Sequence, residues 1–334
     1  MIKVGLIGCG FMGGMHAACY AALEELGVKV VAVADVRPEF AQKLANGAEI
    51  YATGMELIEK ADVDTVDICL PTHLHTAHAV AAMKAGKNVF VEKPVCFNDD
   101  EMDLLLKTEK ETGAKVQVGQ VVRLFNEYAW LKKVVDSGEY GKVVHGEFRR
   151  LSNLPTWAWE NWLHQPEKSG GVAVDMHVHD VDYVRYIMGE PDTVKAHAYR
   201  DADGVIQQIN ATYGYGKDVC IALEAGWNYP ADFPFTADWR VMFEKATVVL
   251  SGGVVTVYPV AGGSFNPEIA AEFEGTNDIG GNVSSLGGYY NELKYFVEGL
   301  QGKNDMSIAP ISDAIESVKL AKREIEAAGG LIVK

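Results

Sequence analysis

A chain of 334 residues with 48% hydrophobic content is long enough for two domains, each with its own core. Its formal net charge of −16 argues against nucleic acid and anionic membranes as partners, and favours a neutral polyol or sugar over a sugar phosphate as substrate. No run approaches the ~18 apolar residues of a membrane helix, an apolar strand follows Met1 with no room for a presequence, and Cys9, Cys19, Cys69, Cys96 and Cys220 form no CxxC pair, so a cytoplasmic protein without disulfides or structural zinc is expected.

Residues 2–8 read as a short strand, followed by Gly8-Cys9-Gly10-Phe11-Met12-Gly13 and a helix over 15–23. This is GxGxxG between a strand and a helix, the setting that gives the motif meaning. Gly8 permits the tight turn, Gly10 lets a pyrophosphate approach the backbone, and Gly13 lets the helix pack close to the sheet. The pyrophosphate then meets amide donors at the positive end of the helix. A second strand, 29–35, ends in Asp35, 22 residues after Gly13, with Val36 and Arg37 beside it. An acid there accepts the adenosine ribose hydroxyls and repels a 2′-phosphate, so NAD is the expected cofactor. Arg37 keeps NADP open as an alternative.

The pattern then repeats. A strand over 63–70 leads into the turn Leu70-Pro71-Thr72-His73-Leu74-His75 and a helix over 76–85. No cysteine or carboxylate nearby completes a ligand set with His73, His75 and His78, so no metal is expected. Thr72 and His75 are read instead as helix caps or cofactor contacts. The next strand, from Asn88, delivers Glu92-Lys93-Pro94. Pro94 disfavours helical dihedrals at Lys93, which places that ammonium at the carboxyl edge of the sheet, where ligands bind. The bland alternative is a solvated charge pair. A helix over 99–112 and a strand over 115–119, followed by Gln120, complete an alternation that means a parallel, doubly wound sheet in a dinucleotide-binding domain, residues 1–119.

From 120 to 334 the reading changes to strands at 142–152, 193–201, 205–214, 218–227, 239–250 and 253–258, with helices at 171–188 and 287–300. This predicts an α+β domain on an open, largely antiparallel sheet. A last helix, 312–328, is expected to pack back on the first domain. On an unbroken helix over 171–188, Asp175, His179, Asp182 and Tyr186 fall within roughly 60° of one another. The segment contains no Lys or Glu, unlike an ordinary solvated face. A carboxylate one turn from an imidazole can orient it for proton transfer; a satisfied core histidine with capping acids is the alternative. His177 falls off the stripe and is assigned to packing or to supporting the residues of the stripe. Trp157, Trp159 and Trp162 offer either a wall that stacks on sugar rings or a hydrophobic plug.

Gly8-x-Gly10-x-x-Gly13, Pro71-Thr72-His73-x-His75, Glu92-Lys93-Pro94 and Gly170-Gly171-x-x-x-Asp175-x-x-x-His179-Asp180-x-Asp182 occur in this order over nearly the whole chain. Together they resemble the Gfo/Idh/MocA family, the group of glucose–fructose oxidoreductase, inositol dehydrogenase and rhizopine catabolism proteins. The resemblance implies a Rossmann domain followed by an α/β domain whose open sheet often mediates dimers or tetramers, so a homodimer or homotetramer is expected. It matches Lys93, Asp175 and His179 to the catalytic Lys, Asp and His, and Tyr289-x-x-Glu292 to a motif of mostly structural role. Arg123 and Asn153 look like substrate-contacting positions, with Trp162 beside them. The cofactor is expected against Gly8, Gly10, Phe11, Met12, Gly13, Asp35, Val36, Arg37, Leu70, Pro71, Thr72, His75, Glu92, Lys93 and Gln120.

The implied activity is an NAD-dependent dehydrogenase acting on a secondary alcohol of a sugar, glycoside or cyclitol. His179 takes the hydroxyl proton, Asp175 orients it or the substrate, and Lys93 stabilises alkoxide character. The Trp-rich loop is larger than a small cyclitol requires and opens glycosides, nucleotide sugars or C-linked aryl glucosides as substrates. Two other functions stay open at this point: an enzyme that retains NAD through oxidation and elimination of an aglycone, and a non-catalytic NAD-responsive regulator.

Overall fold

The computed structural model describes residues 1–156, 158–271 and 286–330. The chain divides into two compact units, one of Met1–Leu124 with residues 271–316, the other of Phe125–Ala270 with the residues from Ser317 onward.

In the first unit, β1 (Ile2–Ile7), α1 (Phe11–Ala22), β2 (Val28–Ala34), α2 (Pro38–Ala45), β3 (Glu49–Tyr51), α3 (Gly54–Lys60), β4 (Thr65–Ile68), α4 (His75–Lys84), β5 (Asn88–Glu92), α5 (Asp99–Thr112) and β6 (Val116–Gly119) follow in order. All strand pairs are parallel and the sheet order is β3-β2-β1-β4-β5-β6. The order reverses at β1, between β2 and β4, and in such sheets that reversal is where a ligand binds beyond the carboxyl ends. The doubly wound expectation therefore holds. The segment α2–β3–α3 was not anticipated: β3 has three half-exposed or exposed residues and carries no hydrophobic alternation. The helix over 99–112 appears as expected, with a capping box between Asn98 and Glu101 and a left-handed Gly113 at its end.

The second unit opens with α6 (Asn126–Ser137), a helix the sequence reading did not contain, and continues with β7 (Val143–Asn153), α7 (Pro166–Ser169), α8 (Val172–Asp175), α9 (Val178–Met188), β8 (Thr193–Arg200), β9 (Ile206–Tyr215), β10 (Val219–Tyr229), β11 (Thr236–Phe243), β12 (Ala246–Ser251) and β13 (Val254–Pro259). Its sheet runs β13-β12-β11-β7-β10-β9-β8, antiparallel except for the parallel pair of β7 with β10. The strand read over 239–250 is a hairpin of β11 and β12. Its turn, Glu244-Lys245, lacks Gly or Pro because its amides donate to Lys142 and Tyr140 carbonyls at 3.1 and 2.9 Å. Tertiary hydrogen bonds supply what turn residues would otherwise provide.

Two further helices follow, α10 (Gly287–Leu300) in the first unit and α11 (Ile311–Ala327), whose residues from Ser317 belong to the second. The first core joins Val4, Met15, Cys19, Tyr20 and Phe90 to Leu293, Phe296 and Val297 of α10. Phe90 and Phe296 meet edge to face, centroids 5.4 Å apart, and burying each such ring contributes about 1.5–3 kcal/mol. No described helix is long and apolar enough to cross a membrane.

Candidate active site

The candidate cofactor site of the first unit is the carboxyl edge of the parallel sheet. Gly8 adopts φ +91°, and a Cβ there would lie 2.4 Å from the Cys69 carbonyl oxygen; a Cβ on Gly13 would lie 1.9 Å from Gly8 O. Glycine is required at both places. On Gly10 a Cβ would meet only Arg37 Nη2, at 3.6 Å, so that residue leaves an open approach to the backbone. Helix α1 begins directly after Gly10, and its first internal bond runs from Gly14 N to Gly10 O at 2.9 Å. The preceding amides of the first turn have no acceptor within the helix, which suits a pyrophosphate. Phe11 and Met12 occupy that turn, both half-buried.

Asp35 follows β2 and is buried. Its carboxylate accepts from Cys9 N at 2.8 Å, from Arg37 N at 2.9 Å, and from Arg37 Nε and Nη2 at 3.0 Å each. Burial raises its pKa, but the bonds from Arg37 and Cys9 outweigh that and hold it below the ordinary range. The Arg37 guanidinium lies 3.8 Å over the Phe40 ring. The two residues read as opposing cofactor determinants are thus clamped to each other. Val36 is exposed beside them.

Of the two readings of His75, helix cap or cofactor contact, the first is corrected. His75 does not cap α4. Its Nδ1 lies 2.8 Å from Pro94 O and its Nε2 2.7 Å from Leu70 O. Burial lowers its pKa to about 4, so the neutral ring donates to one carbonyl at a time and ties the turn after β4 to the segment after β5. Leu70 and Pro71 are half-buried in that turn and Thr72 is buried. His78 turns its Nδ1 to Leu74 O, 2.8 Å away. Among the described residues, the groups with metal-donor geometry are His16–Asp67–Cys69 and His16–Glu92–Glu292, neither of which includes His73, His75 or His78.

Glu92 ends β5 buried, and its Oε2 accepts from Lys93 N at 3.1 Å. Lys93 is half-buried and joined to Pro94 by a cis peptide bond. Gln120, just past β6, is 2% exposed, and neither end of its side-chain amide has a hydrogen-bond partner among the described residues. An orphaned buried amide at this edge, with the cradle that a Cβ would fill at Gly13, fits a bound dinucleotide. Arg123, read as a substrate contact, is buried in a 3-10 turn, with Nη2 2.6 Å from Asp313 and Nη1 on the Ile308 carbonyl, contacts that tie it to the chain leading into α11.

A separate group of candidate residues lies in the second unit. The single helix read over 171–188 is broken: α8 ends at Asp175 and α9 starts at Val178, joined by a wide turn in which His177 N donates to Val172 O at 2.9 Å. The continuous polar stripe is therefore corrected. Asp182 points inward and accepts from Ser317 Oγ at 2.7 Å, and Tyr186 lies under Lys132 Nζ. Over 170–184 every residue is buried except Asp175 and His179. What surrounds them is fixed. Asp180 accepts from Arg150 Nε and Nη2 at 3.0 Å each. His177 Nε2 is 2.8 Å from Glu324 Oε2, an ion-pair contact without hydrogen-bond alignment, both side chains fully buried.

Asn153 ends β7 and donates Nδ2 to Ala231 O at 3.2 Å. Trp162 is half-buried and Trp159 38% exposed in the turn Trp159–His164, where Glu160 and Asn161 both take positive φ, a costly conformation for two residues in succession. Trp157 lies outside the described residues. Missing from the sequence reading was His16, one turn beyond Gly13 and fully buried beside Glu92. A lone imidazole among the Met, Ala and Cys of the fingerprint helix was the signal.

Fold and site together define a dinucleotide-binding α/β protein with an appended mixed-sheet domain. Residues 2–120 match the oxidoreductase family with the NAD-binding Rossmann fold, and residues 128–249 match the GFO/IDH/MocA C-terminal domain. The chain belongs to the Gfo/Idh/MocA family. It is 32% identical to the inositol 2-dehydrogenase of Rhizobium meliloti (strain 1021) over 199 residues, 59% of this chain and 58% of that protein. It is 31% identical to the inositol 2-dehydrogenase of Salmonella typhimurium over 248 residues, 69% of this chain and 70% of that protein. The Rhizobium match thus spans little more than half of that relative's length. A levoglucosan dehydrogenase solved with NADH and levoglucosan has the same fold, with TM-score 0.81 at 21% identity over 98% of this chain and 97% of that one.

Proposed function

We propose that this protein is an NAD-dependent oxidoreductase that moves a hydride between nicotinamide and a secondary alcohol or ketone of a neutral sugar, glycoside or cyclitol. The observation that carries the reading is the pair Asp175 and His179, an acid and an imidazole kept accessible within a stretch that is otherwise wholly buried. Gly8, Gly10, Phe11, Met12 and Gly13 would hold the pyrophosphate, Asp35 the adenosine ribose, and Leu70, Pro71, Thr72, Glu92, Lys93 and Gln120 the nicotinamide end. Bound NAD supplies the hydride acceptor. His179 removes the hydroxyl proton, Asp175 fixes its ring, and the Lys93 ammonium donates a hydrogen bond to the oxygen as negative charge grows there. Asn153 and Trp162 would contact the sugar, the latter by stacking.

The names of the relatives support a cyclitol or anhydrosugar among the candidates. Free cysteines throughout support a reducing, cytoplasmic setting. Exposed Tyr199, Met242, Val254 and Tyr258 at outward positions of the second sheet support a homo-oligomer built on that face.

The test is NADH absorbance with a panel of polyols, free sugars, anhydrosugars, glycosides and nucleotide sugars, with NAD and NADP in parallel. Lys93→Ala and His179→Ala are each expected to lower turnover by roughly 10²–10⁴-fold while still binding NADH. Near-native turnover in Lys93→Ala would refute the assignment.

A further inference from the structure

The first unit encloses more ionisable groups than a cofactor edge requires. His16, projecting from α1, is fully buried, and its Nδ1 lies 2.9 and 3.1 Å from the two carboxylate oxygens of Asp67 on β4. Its Nε2 lies 3.1 Å from Glu92 Oε1, close enough for a charge pair though not aligned as a hydrogen bond. Glu292 of α10 faces the same place: donor atoms of His16, Glu92 and Glu292 lie within 4.8 Å of one another. Both Glu292 oxygens are buried without a hydrogen-bond partner among the described residues. Cys69 Sγ lies 3.2 Å from His16 Nδ1, the Tyr20 and Cys19 side chains of α1 and the Tyr289 ring, 6.4 Å between centroids, also face this cluster, and Lys93 and His75 act on Glu92.

Three carboxyl groups around one imidazole cannot all ionise away from water. Burial lowers the pKa of His16, but Asp67 and Cys69 more than reverse this and raise it well above its ordinary value. Burial raises Glu92, and contact with His16 outweighs it, keeping Glu92 low. Burial and then Glu92 push Glu292 well up. These directions favour the protonated His16 ring beside an ionised Glu92 and the neutral form of Glu292.

Glu92 uses its two oxygens differently. Oε1 faces His16, and Oε2 accepts the backbone N–H of Lys93 at 3.1 Å. The carboxylate therefore links the fingerprint helix to the point where Lys93 leaves the sheet. Gly119 keeps this place open, since a Cβ there would come 3.2 Å from Glu92 Oε1. We propose that His16 is a positioning residue for Lys93, acting through the Glu92 carboxylate that it holds. The inference rests on the catalytic reading of Lys93.

The test is kcat and KM against pH for the full chain and its His16→Gln, Glu92→Gln and Lys93→Ala variants, with myo-inositol or the best alcohol of the panel as probe. His16→Gln is expected to lower kcat by roughly 100-fold, the cost of a displaced catalytic group of about 1 Å, and to leave the KM for NAD in place. It also moves the acid limb of kcat to higher pH, because Glu92 without its cation takes up a proton more readily; a purely structural role would not move that limb. Glu92→Gln, which keeps the shape and carries the test should His16→Gln not fold, lowers kcat and abolishes the limb. An inactive Lys93→Ala beside a His16→Gln or Glu92→Gln protein with native kcat and native acid limb overturns the proposal. So does a stoichiometric divalent metal in the native protein that Glu292→Gln removes. Turnover in Lys93→Ala, or none with any alcohol, would overturn the functional reading first and this inference with it.

Discussion

Gly13 and Gly14 are neighbours in the first turns of α1, and replacing each by alanine should have opposite consequences. A Cβ on Gly13 would lie 1.9 Å from Gly8 O and 3.0 Å from Gly8 C. Both atoms are backbone, so no side chain can turn away, and separations under 3.0 Å are essentially never tolerated. The start of α1 must move from the Gly8–Gly10 turn by about 1 Å. A shift of that size in groups that position a ligand costs on the order of 100-fold, about 2.7 kcal/mol. A Cβ on Gly14 meets nothing within 4 Å, and alanine in a helix is favoured over glycine by roughly 0.5–1 kcal/mol. Gly13→Ala should therefore raise the Kd for NADH about 100-fold and lower thermal stability. Gly14→Ala should keep native affinity and melt slightly higher. NADH fluorescence titration with parallel thermal unfolding reads both. A Gly13→Ala protein that binds NADH as tightly as the native one would refute the role given to this helix start.

Asp35→Ser removes the acid that repels a 2′-phosphate and releases the Arg37 fork it now holds. The ratio of kcat/KM for NADP to that for NAD should rise by roughly 10–100-fold, the worth of one or two charge-assisted hydrogen bonds; an unchanged ratio would sink the assignment of Asp35. His75, held neutral with a pKa of about 4 against 6.5, makes the unfolded chain the better proton acceptor below about 6.5. Its contribution to stability is present above that pH and is lost as pH falls towards 4, by about 3 kcal/mol in all. Urea unfolding of the native and His75→Gln proteins at pH 7 and pH 4.5 should show their difference shrinking by most of that amount, whereas a constant difference would mean that the buried ring does not stay neutral.

The elements whose evidence is local were legible in the sequence. Strand–glycine turn–helix around Gly8 to Gly13, the acid ending β2, and the Lys93-Pro94 exit from β5 each declare themselves within a few residues, because turn sterics and strand patterning act over that range. The polar stripe of Asp175, His179, Asp182 and Tyr186 was drawn on a continuous helix that proved discontinuous, and of its first three members only Asp175 and His179 are not buried. What the sequence could not assign was the destination of charged side chains. Arg123 and Asp182 carry no sign of their partners in the sequence, which stand 190 and 135 positions away, Asp313 and Ser317. His16, Asp67, Glu92 and Glu292 come from four separate elements and form a cluster only when β1, β4 and β5 stand side by side with α1 and α10 packed against them. Backbone geometry is set by neighbours in the chain, but the ionisation and task of a buried side chain are set by whichever groups folding brings within a few ångströms, and only the tertiary structure decides which those are.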